Sequence, residues 1–528
     1  MKKTHWEMYL TSAQFLAQSA KFPEFLSACR KIIADNSRDP EALLSTGVLL
    51  YNFGYQANAK QCFECVRTLS PKDLRPVVNL ANLARDNGDH AESRRLYSEL
   101  LSCLPDNLVI RRNVLVSLEY DPAVSDAERL SQATSWGQWA IGRAGGLLPR
   151  PSISASLHAR PLRVGYVSAD LCQHTVGLFV KDIIAGHDGE RVTAFAYSAG
   201  KVSDGVTKVV RESCQFRQVA DLDDAALANL IRQDDIDVLI DLSGHTAGSR
   251  LTVFAHRPAP VQVSWLGYFA TTGLPVIDAV LLDDWHAPEG MESRFVERII
   301  RLPRGRFYYS PMPFAPEVAP LPAARKDYIT FGSFNNTAKY NDMVFSLWAK
   351  ILQHVVDSRL VLKWRTFQDK ALRKKVADNF TRLGIDPERI EMRGASFHAD
   401  LLKEYADIDI ALDPFPFSGG MTSCESLWMG VPVVTWPQSR VVCRQTYALL
   451  CEIGLPELSA TDEVDYVRIA VDLAGNPEKL QNIRLNLRAR MMASPLCDRE
   501  GFIQSFEDTL WNLVDDLART TECGELTS

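Results

Sequence analysis

Several stretches of this chain place polar or basic side chains directly after apolar runs, where a strand would deliver them to a ligand. Ser168-Ala-Asp-Leu-Cys-Gln-His174 sets Asp170 and His174 at such an exit. An imidazole there can act as a base or donate to a substrate, or it can cap the helix that follows. In Asp241-Leu-Ser-Gly-His-Thr-Ala-Gly248, glycines let backbone amides approach a ligand around His245, while Asp241 as a cap and Gly244 as a turn would serve structure alone. Ala270-Thr-Thr-Gly273 exposes the Thr271 hydroxyl as a weaker candidate contact.

Two later stretches read as an anion site. Phe334-Asn-Asn-Thr-Ala-Lys339 offers the Asn336 amide and, three residues on, a lysine where a helix opens, a position suited to phosphate, although a solvated lysine is the commoner case. Leu412-Asp-Pro-Phe-Pro-Phe-Ser-Gly-Gly-Met-Thr-Ser423 then opens another helix. Beyond Gly419, the amides of Gly420, Met421 and Thr422 can cradle phosphate oxygens, with Glu425 one turn inside for ribose or sugar hydroxyls; a plain N-cap is the structural alternative. Asp407-Ile-Asp409 spells a metal-type D-x-D, but it lies in an apolar strand approach and reads as structural. No Walker lysine motif, G-x-S-x-G elbow or H-E-x-x-H appears, which removes the commonest ATPase and hydrolase readings.

The elements that must position these groups are short β-branched runs alternating with helical stretches. LRVGYVS, VTAFAY, DVLIDLSG, VQVSW and DAVLLDD form one series, and YITFGSF, RLVLKW, RIEMRG, IDIALDPF and VPVVTW a second, separated by the proline-rich YYSPMPFAPEVAPLPAARKD. That texture predicts two doubly wound, Rossmann-like α/β lobes, with ligand contacts on the loops at the carboxyl ends of the strands. Upstream, Gly54, Ala57, Phe63 and Pro71 recur as Gly88, Ala91, Tyr97 and Pro105, an offset of 34 residues. That period is the tetratricopeptide repeat: paired antiparallel helices, with small residues at the tight crossing, an aromatic in the second helix and a proline at its exit. A degenerate earlier copy, with Ala20 in the register of Gly54 and Pro40 near its exit, makes about three repeats, since two alone rarely bury a stable core. The expected division is a helical domain over 1–145, a linker over 146–160, and lobes over 161–315 and 316–528.

Composition bounds the function. A net charge of −7 gives no global positive field, so nucleic acid is not expected as a partner. No apolar run is long enough for a membrane span, and His5, Trp6 and Glu7 interrupt a signal-peptide pattern, so a soluble, cytoplasmic protein is expected. Eleven scattered cysteines read as reduced thiols, and Cys62-x-x-Cys65, in a helical pattern with no second pair, as core cysteines.

Together LRVGYVSADLCQH, DLSGHTAG, FAHRPAPVQVSWLGY, GSFNNTAK and DPFPFSGGMTSCESLWMGVPVVTWP, in that order, resemble the SPINDLY-type, O-linked N-acetylglucosaminyltransferase-like family over nearly the whole chain. The resemblance implies an α-helical tetratricopeptide solenoid followed by a GT-B fold, the first lobe on the acceptor side and the second on the donor side. It implies inverting transfer from a UDP-sugar, usually UDP-N-acetylglucosamine, to serine or threonine hydroxyls, with no metal or other cofactor. The repeats would hold the acceptor polypeptide and could also mediate homo-oligomers. His174 falls on the active-site histidine, His245 on the sugar-lining loop, Asn336 on a donor-side amide and Lys339 on the diphosphate lysine. Gly419 to Thr422 fall on the diphosphate loop and Glu425 on the ribose contact. Departures from the family pattern are Gly420-Met421, where many members carry His-Thr or Thr-Thr; Leu401, where a base-stacking histidine is common and nearby His398 can substitute; and Leu178, in place of a second histidine. Rival readings are an asparagine-directed or other-sugar transferase, a non-catalytic repeat scaffold with a decayed donor site, and an epimerase or phosphorylase on the same fold.

Overall fold

The computed structural model describes residues 5–154 and 157–525; the first four residues and positions 155–156 of the expected linker lie outside the described residues. Eight helices come first: α1 (His5–Gln18), α2 (Phe22–Asp35), α3 (Pro40–Asn52), α4 (Gln56–Leu69), α5 (Arg75–Asp86), α6 (His90–Cys103), α7 (Leu108–Tyr120) and α8 (Asp126–Arg143). Asp39, Asp89, Asn107 and Ser125 cap α3, α6, α7 and α8 through their side chains, each accepting an amide of the first turn. Between paired helices the chain reverses at left-handed residues, Ala20 (φ 56°), Gly54 (φ 86°) and Gly88 (φ 74°). Ala20 thus takes the backbone conformation that glycine takes in the two later repeats, where a Cβ is tolerated only at some cost. Phe63 on α4 and Tyr97 on α6 are buried in one core with Phe25, Leu50, Val66 and Leu100. The tight helix crossing differs from expectation. It falls at Gly47, where a Cβ would lie 2.7 Å from the Phe63 ring, while Gly54 and Gly88 serve the turns. Cys62 is a core cysteine as expected, whereas Cys65, one turn on, faces outward on α4; both are free thiols.

The chain divides into two compact units. One contains α1–α7, up to Asp121, with Pro313–Pro437 and Glu457–Leu487; the other contains Pro122–Met312, with α8, and Gln438–Pro456, and the chain from Arg488 on.

The second of these holds a parallel sheet of seven strands: β1 (Leu162–Ser168), β2 (Val192–Ser198), β3 (Gln215–Gln218), β4 (Val238–Asp241), β5 (Val261–Trp265), β6 (Ala279–Leu282) and β7 (Arg298–Arg301), in the order β3-β2-β1-β4-β5-β6-β7. β1 pairs with both β2 and β4, so the strand order reverses beside β1, and the loops after β1 and β4 leave side by side. Before β1 the proline-rich connection is tied to the sheet: Arg150 donates to the Pro260 carbonyl and forks onto Asp278, and Arg160 forks onto Asp237.

The first unit holds a five-stranded parallel sheet: β8 (Thr330–Ser333), β9 (Arg359–Lys363), β10 (Ile390–Arg393), β11 (Ile410–Leu412) and β12 (Val433–Val434), in the order β10-β9-β8-β11-β12. Its reversal point is between β8 and β11, where the Asn335 and Gly419 loops exit together. α4, α5 and α7 pack against this lobe. The Ala57 amide donates to Asp369, Thr337 Oγ1 donates to the Asp86 carbonyl, and a Cβ on Gly88 would lie 2.6 Å from the Tyr340 carbonyl. Among the described residues no helix is long and apolar enough to cross a membrane.

Candidate active site

The β8 and β11 loops bring the anion-site candidates together. Lys339 ends a single turn, Thr337–Lys339, and its ammonium donates to Asn335 Oδ1 at 3.0 Å and to the Ser418 carbonyl at 2.8 Å. The ammonium also sits 4.8 Å from the centre of the Phe417 ring. The side chain keeps an accessible edge, yet the surrounding protein strips enough water to bring the ammonium down to about 8; the Asp413 carboxylate opposes that shift. Asp413, the first residue after β11, accepts the Gly419 amide at 2.6 Å and the Thr435 hydroxyl at 2.7 Å, which fixes the glycine loop.

Gly419 has no space for a side chain: an added Cβ would lie 3.1 Å from Asp413 Oδ1 and closer still to Ser423 Oγ. Gly420 then caps the helix Met421–Trp428, whose Met421 and Thr422 amides belong to the first turn and have no carbonyl one turn back within the helix. Thr422 Oγ1 donates to Asn335 Oδ1 at 3.2 Å, so one carboxamide oxygen joins Lys339 to the helix that offers those amides. Asn335 and Asp413 are therefore the residues that sequence reasoning missed. The tandem Asn335-Asn336 and the acidic residue at a strand exit were the available signals. Asn336 itself caps the Thr337–Lys339 turn, its Oδ1 accepting the Ala338 amide at 3.1 Å.

Glu425, buried one turn inside the helix, accepts from His398 Nε2 at 2.6 Å. That bond holds the His398 imidazole above its ordinary value, against the opposing effect of burial. Tyr405 supports the pair from below, donating to the Thr422 carbonyl and packing on Phe334 at 4.5 Å. Asp409 accepts the Ala323 and Thr330 amides, and Asp407 pairs with Arg393, so the two aspartates of D-x-D engage separate partners.

In the other unit the expected residues behave differently. His174 caps the helix Thr175–Ile184, its Nδ1 accepting the Val176 amide at 3.3 Å, with Asp170 Oδ2 at 3.8 Å and about half of the side chain exposed. With Nδ1 as acceptor, the neutral ring carries its hydrogen on Nε2. Burial raises the Asp170 carboxyl, and His174 opposes that shift. His245 is fully buried, its Nε2 on the Thr272 carbonyl at 2.9 Å and its ring edge-on to Trp136 of α8 and to Tyr268. Asp241 accepts the Ser243 and Gly244 amides and the Ser264 hydroxyl; burial brings its carboxyl up to about 6. The Thr271 hydroxyl donates to buried Glu297 at 2.6 Å. Leu178, in the helix that His174 caps, is buried.

The family model of glycosyl transferase family 41 matches residues 151–310 and 321–506. Across 98% of this chain and all of the other, the fold superposes with a TM-score of 0.88 and 31% identity on a mutant of the O-GlcNAc transferase of Thermobaculum terrenum. A rice (Oryza sativa subsp. japonica) protein described as "Probable UDP-N-acetylglucosamine--peptide N-acetylglucosaminyltransferase SPINDLY" is 37% identical over 425 residues, 79% of this chain and 45% of the relative. A protein of the same description from Eustoma exaltatum subsp. russellianum is 40% identical over 356 residues, 66% of this chain and 38% of the relative. The chain spans less than half the length of these plant relatives. The matched residues run through both sheets and through every loop described above, so the chain belongs to glycosyl transferase family 41.

Proposed function

We propose that this protein is an inverting transferase that moves N-acetylglucosamine from its UDP derivative to serine or threonine side chains of a polypeptide. The observation that carries the reading is the Lys339 ammonium, oriented by Asn335 and the Ser418 carbonyl and tied through Asn335 to the helix N-terminus at Gly420–Thr422. A fixed cation beside open helix amides stabilises a departing diphosphate, where negative charge builds as the glycosidic bond breaks. In this reading Gly420, Met421 and Thr422 take the phosphate oxygens through backbone amides, Gly419 shapes the loop with its own amide on Asp413, and Glu425, oriented by His398, takes the ribose. Asn336 supports the Lys339 turn as its cap, and the loops of His245 and Thr271, closed on their own partners, serve as scaffold. His174 is the candidate for the acceptor's proton, which requires its Nδ1 to release the Val176 amide or its ring to change tautomer. The lobe of the five-stranded sheet is the donor side, the lobe of the seven-stranded sheet the acceptor side, and the helical repeats hold the polypeptide. The names of the relatives support the donor and peptide classes. The diphosphate chemistry is supplied by protein groups, so the reaction needs no added metal, and the cytoplasm is the matching compartment.

Calorimetric titration with UDP, without added metal, tests the donor site. The intact chain should bind at micromolar concentrations, and Lys339→Ala should weaken binding at least five- to tenfold, about 1 kcal/mol or more for a charge-assisted contact. Absence of UDP binding would overturn the reading in favour of a scaffold.

A further inference from the structure

We propose that Tyr120, the last residue of α7, is a positioning residue for the Lys339 ammonium: its ring stacks on Phe417, the ring over which the ammonium rests. The inference rests on the donor-site reading above and assigns the helical repeats a part in it besides holding polypeptide. The Tyr120 and Phe417 rings are 4.6 Å apart and inclined by 23°, and the ammonium lies 4.8 Å from the Phe417 centre. A lysine stem has four rotatable bonds, so a ring held in one plane restricts where its charge can settle.

Tyr120 is itself held. It closes α7 just before the buried Asp121, which pairs with Arg94. The Arg85 guanidinium lies 5.8 Å from the Tyr120 ring centre and is fixed by Asp86 at 2.8 Å, whose other oxygen accepts the Tyr51 hydroxyl at 2.5 Å. The same Asp86 accepts Thr337 Oγ1 through its carbonyl, and Gly88 closes on Tyr340. Residues 85–88 thus hold the Lys339 turn from one direction while Tyr120 holds Phe417 from the glycine loop's side. No residue of the repeats needs to touch donor for the donor site to depend on them.

Tyr120→Leu keeps apolar volume and removes the stacked ring; Tyr120→Phe keeps the ring. Two readouts apply to the full chain: the pH midpoint for brief acetylation of Lys339, read by mass spectrometry, and the UDP dissociation constant. Tyr120→Leu should raise the Lys339 midpoint by roughly 0.5–1 unit as water reaches the ammonium and weaken UDP about fivefold. Tyr120→Phe should restore both, and Leu115→Ala, which weakens α7 elsewhere, should alter neither. Wild-type values for Tyr120→Leu, or an equal shift in Leu115→Ala, would overturn the proposal. If Tyr120→Leu fails to fold, Tyr120→Met is read against the same outcomes. If wild type binds no UDP, the donor-site reading falls, while the acetylation midpoint still decides whether Tyr120 positions Lys339.

Discussion

Each sheet reverses its strand order once, and each reversal point releases two polar loops, but the loops put their polar groups to different use. At the β1 and β4 exits, Asp241 holds its own loop and His245 is sealed among aromatic rings, while on the loop after the neighbouring β5 Thr271 and Thr272 are bound to Glu297. Only His174 remains half-exposed there among the expected residues. At the β8 and β11 exits, internal bonds also exist, but they orient groups that still have capacity: an ammonium with three protons and the amides of a first helical turn. The same topology yields a scaffold where hydrogen bonds close on themselves, and a binding site where they leave donors aimed outward.

His174 is where this contrast is most exposed to failure. His174→Asn retains a good helix cap, so stability should stay within about 0.5 kcal/mol, while loss of a proton acceptor should lower turnover by about 10²–10⁴-fold. Peptide glycosylation rates and urea denaturation measure the two. Turnover at wild-type level in the asparagine variant would make His174 a cap and leave the β1 exit wholly structural.

A second test targets the scaffold. Glu297→Ala strands the Thr271 and Thr272 hydroxyls and the Thr272 amide in a buried place. The unmet donors should cost about 3 kcal/mol of stability, read as a lowered urea midpoint, with UDP affinity unchanged. A comparable loss of UDP affinity in a folded Glu297→Ala would mean that Thr271 serves ligand after all.

How far the sequence reveals these arrangements depends on what drives each one. Every apolar run named above became a strand, because burial on both faces of a parallel sheet demands such runs. The edge strands β3, QFRQ, and β7, RIIR, went unread because exposed edges require no apolar run. The 34-residue period located the repeats, yet Gly54 and Gly88 mark turns and Gly47 marks the crossing, a distinction that only packing against Phe63 makes. Lys339 was legible from its place after a strand. Asn335 was not separable from Asn336, since which neighbour faces the ammonium depends on the path of one turn. The contact of α7 with Phe417 joins residues almost 300 positions apart, beyond the reach of periodicity or spacing.

The lowered value of Lys339 gives the comparison a pH signature. An ordinary lysine would remain charged to about pH 10, whereas this ammonium deprotonates near 8 in the free protein. Diphosphate binding favours the charged form, so affinity for UDP should hold below about pH 8 and fall as pH rises, by no more than tenfold per unit. Titrations between pH 7 and 9.5 measure this. A flat profile would mean that the lysine is either fully hydrated or remote from the diphosphate. Lys339→Ala removes the titrating group and should flatten the same profile.

The smallest expected effect separates the tandem asparagines. Asn335→Ala removes the oxygen shared by Lys339 and Thr422, leaving the ammonium with the Ser418 carbonyl as its remaining directional partner. UDP affinity should drop about threefold to fivefold, the scale of a neutral hydrogen bond that orients rather than binds. Asn336→Ala removes only the cap of the Thr337–Lys339 turn, so calorimetry should find affinity close to wild type, with a stability loss of about 0.5–1 kcal/mol. The opposite pattern, with Asn336→Ala losing affinity and Asn335→Ala only stability, would assign the donor contact to Asn336 and place Asn335 among the groups that hold the loop. The β8 exit would then resemble the β1 exit, where a polar residue next to the site serves its own backbone.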